Sequence, residues 1–208
     1  MFIGVEKEGR KISRYWDKSK QKYCVKIMPG EYYYSGEEEY ISTTLGSCVA
    51  ACIWDEKHKI GGMNHFMLPL TDKDHSEVTW GSLPTDATRY GNYAMEFLIN
   101  ELLKHGGDKT EFQVKLFGGG KVLEGSGNVG KRNIEFVMDY VKSENLNLVS
   151  QDLGENYSRK VLFDPLTGRA WMKKIKDVDI QDKSLALSEQ RYRASIRVDD
   201  IEGDVDLF

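Results

Sequence analysis

Up to about residue 70 the hydrophobic positions alternate with polar ones or gather in short runs, whereas beyond residue 85 they recur at helical spacing. That order predicts strands first and helices later. Residues 23–28 are the first apolar-rich segment, closed by Pro29-Gly30, and residues 40–45 read as a strand after the acidic turn Gly36-Glu37-Glu38-Glu39. Gly46-Ser47 marks a sharp bend. Residues 48–54 and 60–68 then form the two arms of a predicted hairpin around the polar break Asp55-Glu56-Lys57-His58, with Pro69 ending the second arm. From Thr85 onward, Tyr90, Ala94, Phe97, Leu98 and Leu102 share one helical face, and Gly106-Gly107 stops it. Residues 112–117 alternate as a strand running into Gly118-Gly119-Gly120. A second helix is predicted with Asn128 as cap and Ile134, Val137 and Val141 as its buried stripe. Short strands follow at 146–150, 160–163 and 169–173, and a last helix around 184–196. Strands that cluster early and are then interrupted by two helices fit an α+β layered fold better than a regular βαβ alternation.

The 208 residues, 40% hydrophobic and 30% charged, suffice for one well-buried core, so a single main domain is expected. A polar arm over residues 1–22 precedes it, and an acidic extension over residues 176–208 follows as an appendage. The net charge of −4, from 29 basic against 33 acidic residues, offers no positive field for phosphates, so nucleic acid is not an expected partner. The start lacks the apolar core of a signal peptide, and no stretch approaches the length of a membrane span. A soluble, cytoplasmic protein without membrane insertion is expected. Three cysteines, Cys24, Cys48 and Cys52, lack a disulfide-framework spacing and read as reduced thiols.

With Glu56 and Lys57 as the two central turn residues, Cys48 and His65 face each other directly across the hairpin. A thiol and an imidazole within hydrogen-bonding reach are what a cysteine nucleophile requires, because the free thiol is mostly protonated at neutral pH. The bend at Gly46 and Ser47 leaves backbone N–H groups open for an oxyanion. Ser42, Thr43 or Thr44 could hold the second ring nitrogen of His65. Against this stands the packing reading, in which a cysteine is a small buried hydrophobe; Cys24 and Cys52 are assigned to it.

Gly125-Ser126-Gly127-Asn128-Val129-Gly130 matches a dinucleotide-binding fingerprint, with Asp152 near the place of a ribose-binding acid. The strand that should deliver the first glycine ends near Phe117, too far upstream, and Arg132 stands where a phosphate loop needs Ser or Thr. The cysteines and histidines fit no structural zinc spacing, and His58, His75 and His105 read as surface residues. No cofactor or metal is expected. Tyr32-Tyr33-Tyr34 reads as packing or a sheet edge.

The segments Leu45-Gly46-Ser47-Cys48-Val49 and 61–69, with Phe117-Gly118-Gly119-Gly120, residues 128–133 and residues 152–168, closely resemble the CheD family of chemoreceptor glutamine deamidases. The resemblance covers about residues 23–175, and the carboxyl end 203–208 looks like that of the longer members. It implies a Cys-His-Thr triad, with the nucleophile at Cys48 and the base at His65. Counted without gaps, the family threonine falls on Ser42, with Thr43 beside it, so either hydroxyl can fill the third role. It also implies layered sheets flanked by helices, similar to toxin-type cysteine deamidases. The implied activity is hydrolysis of glutamine to glutamate on receptor cytoplasmic helices through a thioester, and the implied second partner is a CheC-type phosphatase. The rival readings are a non-catalytic module that binds receptor or phosphatase, and a nucleotide-dependent enzyme using the loop at 125–130.

Overall fold

The computed structural model describes residues 3–4, 13–69, 86–122, 128–175 and 180–196. Eleven strands among them are β1 (Ile3–Gly4), β2 (Ser13–Asp17), β3 (Lys22–Lys26), β4 (Glu31–Ser35), β5 (Glu39–Leu45), β6 (Val49–Asp55), β7 (Ile60–His65), β8 (Gln113–Gly118), β9 (Asn147–Leu153), β10 (Ser158–Phe163) and β11 (Ala170–Ile175). The α-helices are α1 (Asp86–Lys104), α2 (Val129–Ser143) and α3 (Ile180–Ser195). Two mixed sheets result, one ordered β1-β4-β7-β6-β8-β9 and the other β11-β10-β5-β3-β2. The fold is α+β and layered, as the sequence pattern predicts.

Strand β6 shows how the layers are built, because all seven of its residues are buried. A strand buried on both faces loses the hydrophobic-polar alternation and reads as a continuous apolar run. Val49, Ala51 and Ile53 enter a core with Tyr90, Leu98 and Val137 of the helices. Cys48, Ala50, Cys52 and Trp54 enter a second core with Ile41, Leu45, Val161 and Phe163 of the other sheet. The six-stranded sheet is thus the middle layer. Each fully buried aliphatic or aromatic side chain in these cores contributes roughly 1.5–3 kcal/mol relative to exposure.

The hairpin forms in a register two residues away from the expected one. Asp55 faces Ile60 and Cys52 faces Met63, so the loop has four residues, 56–59, with Lys59 at φ 55°. The Asp55 carboxylate causes this: it accepts from the His58 N–H at 3.0 Å and from the Asp108 N–H at 2.9 Å, which stabilises the wider turn. Val49 consequently pairs with Phe66, and Cys48 lies diagonal to His65 rather than opposite it. A slip of two preserves the face on which each side chain projects. Both residues therefore remain between the sheets.

Other expectations need smaller corrections. Phe97 is 40% exposed and stacks on Tyr32 and Tyr93 at the rim of α1, outside the buried face. Asn128 stands at the start of α2 without a side-chain capping bond, and the buried stripe runs through Asn133, Phe136, Val137, Tyr140 and Val141, with Ile134 at its margin. Within the polar amino-terminal arm, β1 pairs in parallel with β4 and β2 pairs antiparallel with β3. His75, the glycines at 125 and 127, and residues 203–208 lie outside the described residues. No helix among the described residues is long and apolar enough to cross a membrane.

Gly118 ends β8 at φ +117°, and a Cβ there would collide with the Cys48 carbonyl oxygen. Gly118→Ala is expected to lower the unfolding free energy by at least about 1–3 kcal/mol, the cost of forcing a side chain into a sparsely populated backbone region. Urea denaturation followed by tryptophan fluorescence measures this loss.

Candidate active site

Strand β5 belongs to one sheet and β6 to the other, so Gly46, Ser47 and Cys48 form the crossing between layers. Ladder pairing stops at Leu45 and resumes at Val49, which exchanges both backbone hydrogen bonds with Phe66 at 2.9 Å. The three N–H groups in between have no strand to bond, and all three donate to the carboxylate of Glu189 from α3. Oε1 is 2.8 Å from the Gly46 nitrogen and 3.4 Å from that of Cys48. Oε2 is 3.0 Å from the Ser47 nitrogen and 2.7 Å from its hydroxyl. Such a cradle of backbone donors favours a negative oxygen.

The carbonyls of the same crossing are held from behind. Gly119 and Gly120 donate to the carbonyls of Cys48 and Gly46, each at 2.7 Å, and Asn133 Nδ2 donates to that of Ser47 at 2.8 Å. Arg159, fully buried between the sheets, holds the neighbouring Gly118 and Gly154 in turn. Its guanidinium donates to the carbonyl of Gly118 at 3.1 Å, to that of Gly154 at 2.8 Å and to Asp152 at 2.7 Å. The crossing is therefore a rigid element rather than a free loop.

His65, at the end of β7, is 1% exposed. Its Nδ1 lies 2.7 Å from Thr43 Oγ1, and the same hydroxyl donates to the Ile27 carbonyl at 2.9 Å. A hydroxyl has one proton to give, so toward the ring it accepts, and Nδ1 carries the hydrogen. Nε2 is left with its lone pair, buried and without a hydrogen-bond partner among the described residues. A ring nitrogen of His65, Cys48 Sγ and a Glu189 oxygen lie within 4.8 Å of one another. Thiol and imidazole are neighbours, but no hydrogen bond joins them in this arrangement.

Burial pushes the Cys48 thiol well above its ordinary range, and the charge and hydrogen bond of Glu189 push it further. Burial also lowers His65 to about 3, so both groups are neutral near pH 7. Cys48, His65 and Glu189 could offer a metal three ligand atoms. Both carboxylate oxygens are already engaged by N–H and O–H donors, however, and that donor set suits an anion. A cleft of about 370 Å³ reaches His65 between Ile27 and Thr43, with Lys26, Lys160 and Ser188 around it.

Of the residues singled out in the sequence, Cys48, His65, Thr43, Gly46 and Ser47 converge here. Ser42 does not: its hydroxyl accepts from Cys24 Sγ at 3.3 Å on the other face of β5. Cys24 and Cys52 are fully buried, and burial raises the Cys52 thiol far above its usual range. Asp152 is paired with Arg159 rather than open to a ribose. His58 and His105 are exposed, as the sequence reading has them, and bonded to Asp55 and Tyr34. Glu189 was not anticipated, because its only sequence cue is one acid within an acidic extension. Arg159 and Asn133 fall inside the resembling segments 152–168 and 128–133, where nothing in the sequence marks them as buried hydrogen-bond donors.

Residues 67–174 match a family model described as CheD chemotactic sensory transduction. The chain is 49% identical over 197 residues to a protein of Halorhodospira halophila, covering 95% of this chain and 90% of that one. It is 41% identical to a protein of Hahella chejuensis at the same coverage. A protein of Hydrogenovibrio crunogenus is 45% identical, over 88% of this chain and 93% of its own. Each of the three carries the name "Probable chemoreceptor glutamine deamidase CheD".

The buried imidazole makes stability depend on pH in a defined direction. Its folded pKa lies below the unfolded value of about 6.5, so its contribution is complete above that pH and is lost as pH falls toward about 3. Between pH 6.5 and 5, above the range of ordinary carboxylates, the unfolding free energy of the wild type is expected to fall by up to about 1.4 kcal/mol per unit. In His65→Gln this part of the slope is expected to vanish, as urea titrations at three pH values would register.

Proposed function

The chain belongs to the CheD family, and on that premise we propose that it hydrolyses glutamine side chains of chemoreceptor cytoplasmic helices to glutamate, with Cys48 as the nucleophile. The observation that carries this reading is the Thr43–His65 hydrogen bond, which leaves the Nε2 lone pair bare beside a thiol and a backbone anion cradle. A base with a fixed tautomer, a nucleophile and an oxyanion site are the three parts that acyl transfer from an amide needs.

In this mechanism His65 Nε2 takes the Cys48 proton and the thiolate attacks the carboxamide carbon. The N–H groups of Gly46, Ser47 and Cys48 receive the developing oxyanion. The imidazolium, stabilised through its Nδ1–H bond to Thr43, protonates the departing ammonia, and a thioester remains. Water activated by the same nitrogen then releases glutamate and restores the thiol. Thr43 is a positioning residue here, acting through the ring. Ser42 has no part.

Each turnover converts a neutral side chain into a negative one, which changes repulsion between neighbouring acidic sites on a helical bundle. The proposed site of action is the cytoplasm, where such receptor helices lie, and the proposed second partner is a CheC-type phosphatase. Residues 23–175 are the proposed catalytic domain, with residues 176–208 as its extension.

Incubation with receptor cytoplasmic fragments, reading ammonia and a gain of about one dalton per modified glutamine, tests the assignment. Cys48→Ala, folded by circular dichroism, is expected to lose all activity; undiminished turnover in that variant would refute the mechanism. Thr43→Val should lower kcat about 10- to 100-fold with Thr43→Ser restoring most of it, while Ser42→Ala stays within about twofold of wild type. Binding without any mass gain would favour the non-catalytic module.

A further inference from the structure

The oxyanion cradle in this structure is filled by a side chain of the chain's own carboxyl-terminal helix. Glu189 is 1% exposed. Its charge is balanced by the three N–H groups and the Ser47 hydroxyl. A buried carboxylate is costly unless several donors converge on it, and here they do. A carboxylate also has the shape of a carboxamide, and a glutamate side chain is the product of glutamine hydrolysis. It is carried on a helix, as a receptor would carry it.

We propose that α3 is an intramolecular plug in which Glu189 occupies the product position, so that the docked chain is closed and a receptor helix must displace α3 to reach Cys48. The inference rests on the deamidase reading above and adds to it where the substrate helix lies: along the groove that α3 fills.

The docking is built to be reversible. Among the described side chains of α3, Glu189 alone is buried; Tyr192 and Ile196, three and seven residues on, complete a single stripe, and Leu187, Gln190, Arg191, Ala194 and Ser195 are exposed. The Tyr192 hydroxyl bonds that of Tyr90, and its ring lies over Gly30. The described side chains, within residues 187–196, hold on by this one narrow stripe, and an element docked in that way is drawn from the low-stability end of a structure's local equilibria. Once it leaves, the N–H cradle opens, water reaches the pair, and both burial effects on Cys48 and His65 relax toward ordinary values. The closed form thus carries a protonated, shielded thiol, and the open form a competent one.

Full-length wild type, Glu189→Ala and Tyr192→Ala are compared by the iodoacetamide alkylation rate of Cys48, mapped by peptide mass, with thermal melts as the fold control. Each substitution removes a different contact of the stripe, and each is expected to accelerate alkylation about tenfold or more. An unchanged rate in both folded variants would overturn the plug. Glu189→Gln supplies a second reading, since it puts a carboxamide where the carboxylate was. Cys48 should attack it, breaking the C–N bond; ammonia leaves with a proton from His65, and water provides the new oxygen. Position 189 then gains about one dalton without any receptor, and the added Cys48→Ala change abolishes the gain. A carboxamide that stays intact at position 189, in a chain that deamidates receptor fragments, would overturn the product position. Faster alkylation in variants that deamidate no receptor fragment would sustain the plug and sink the enzymatic reading instead, so the two failures are distinguishable.

Discussion

Where a polypeptide passes from one sheet to another, the residues at the crossing belong to neither ladder, and their N–H groups must find partners elsewhere. At Gly46, Ser47 and Cys48 this requirement has produced a convergent set of donors. The carbonyls of the three residues are satisfied from inside by Gly120, Asn133 and Gly119, which leaves the N–H groups facing outward together. The Glu189 carboxylate meets them with two oxygens, Oε1 accepting from Gly46 and Cys48 and Oε2 from Ser47. The position of Cys48 at the end of this crossing ties its thiol and the anion cradle to the same backbone segment.

The rigidity of the crossing comes from polar groups that the hydrophobic pattern does not reveal. Arg159 follows the inward phase of Val161 and Phe163 along β10 and fills the end of the inter-sheet core with a guanidinium. Its three acceptors, Asp152 and the carbonyls of Gly118 and Gly154, compensate its desolvation. Asn64 plays a comparable part on the helix side, accepting from the Ala51 N–H at 2.8 Å and donating to the Ala94 carbonyl at 2.9 Å. Fully satisfied networks of this type specify one arrangement of the layers, since any slip would strand several buried groups.

Much of this was legible in the sequence, for reasons that can be traced to particular residues. Strands and helices announced themselves by period, and the site by Gly46-Ser47-Cys48 and the hairpin that returns His65. The expected hairpin register fails because it assumes a two-residue turn, whereas the Asp55 side chain builds a wider one. The error cost little, since a two-residue slip keeps Cys48 and His65 on one face. The choice between Ser42 and Thr43 was in fact readable: Ile41, Thr43 and Leu45 share a phase, and the apolar members of that phase point to the inter-sheet core. Glu189 was not readable. It lies 141 residues from Cys48 in an acidic segment where no periodicity distinguishes one carboxylate from the next.

On the deamidase reading, the cradle explains why a carboxylate makes a good plug. The oxygen of a substrate carboxamide is neutral and gains charge only as the tetrahedral intermediate forms, so donors arranged for that charge bind the ground state less tightly than the transition state. A glutamate carboxylate already bears the charge. The same geometry that favours the reaction therefore favours occupation by its product, or by any glutamate that the chain can hold nearby. An apolar residue in the same place would leave each buried N–H group unsatisfied at about 1–3 kcal/mol apiece. A cationic one would be repelled by the donors. Of the charged side chains, only Glu or Asp can close this cradle, and the longer Glu lets a helix outside the sheets reach in.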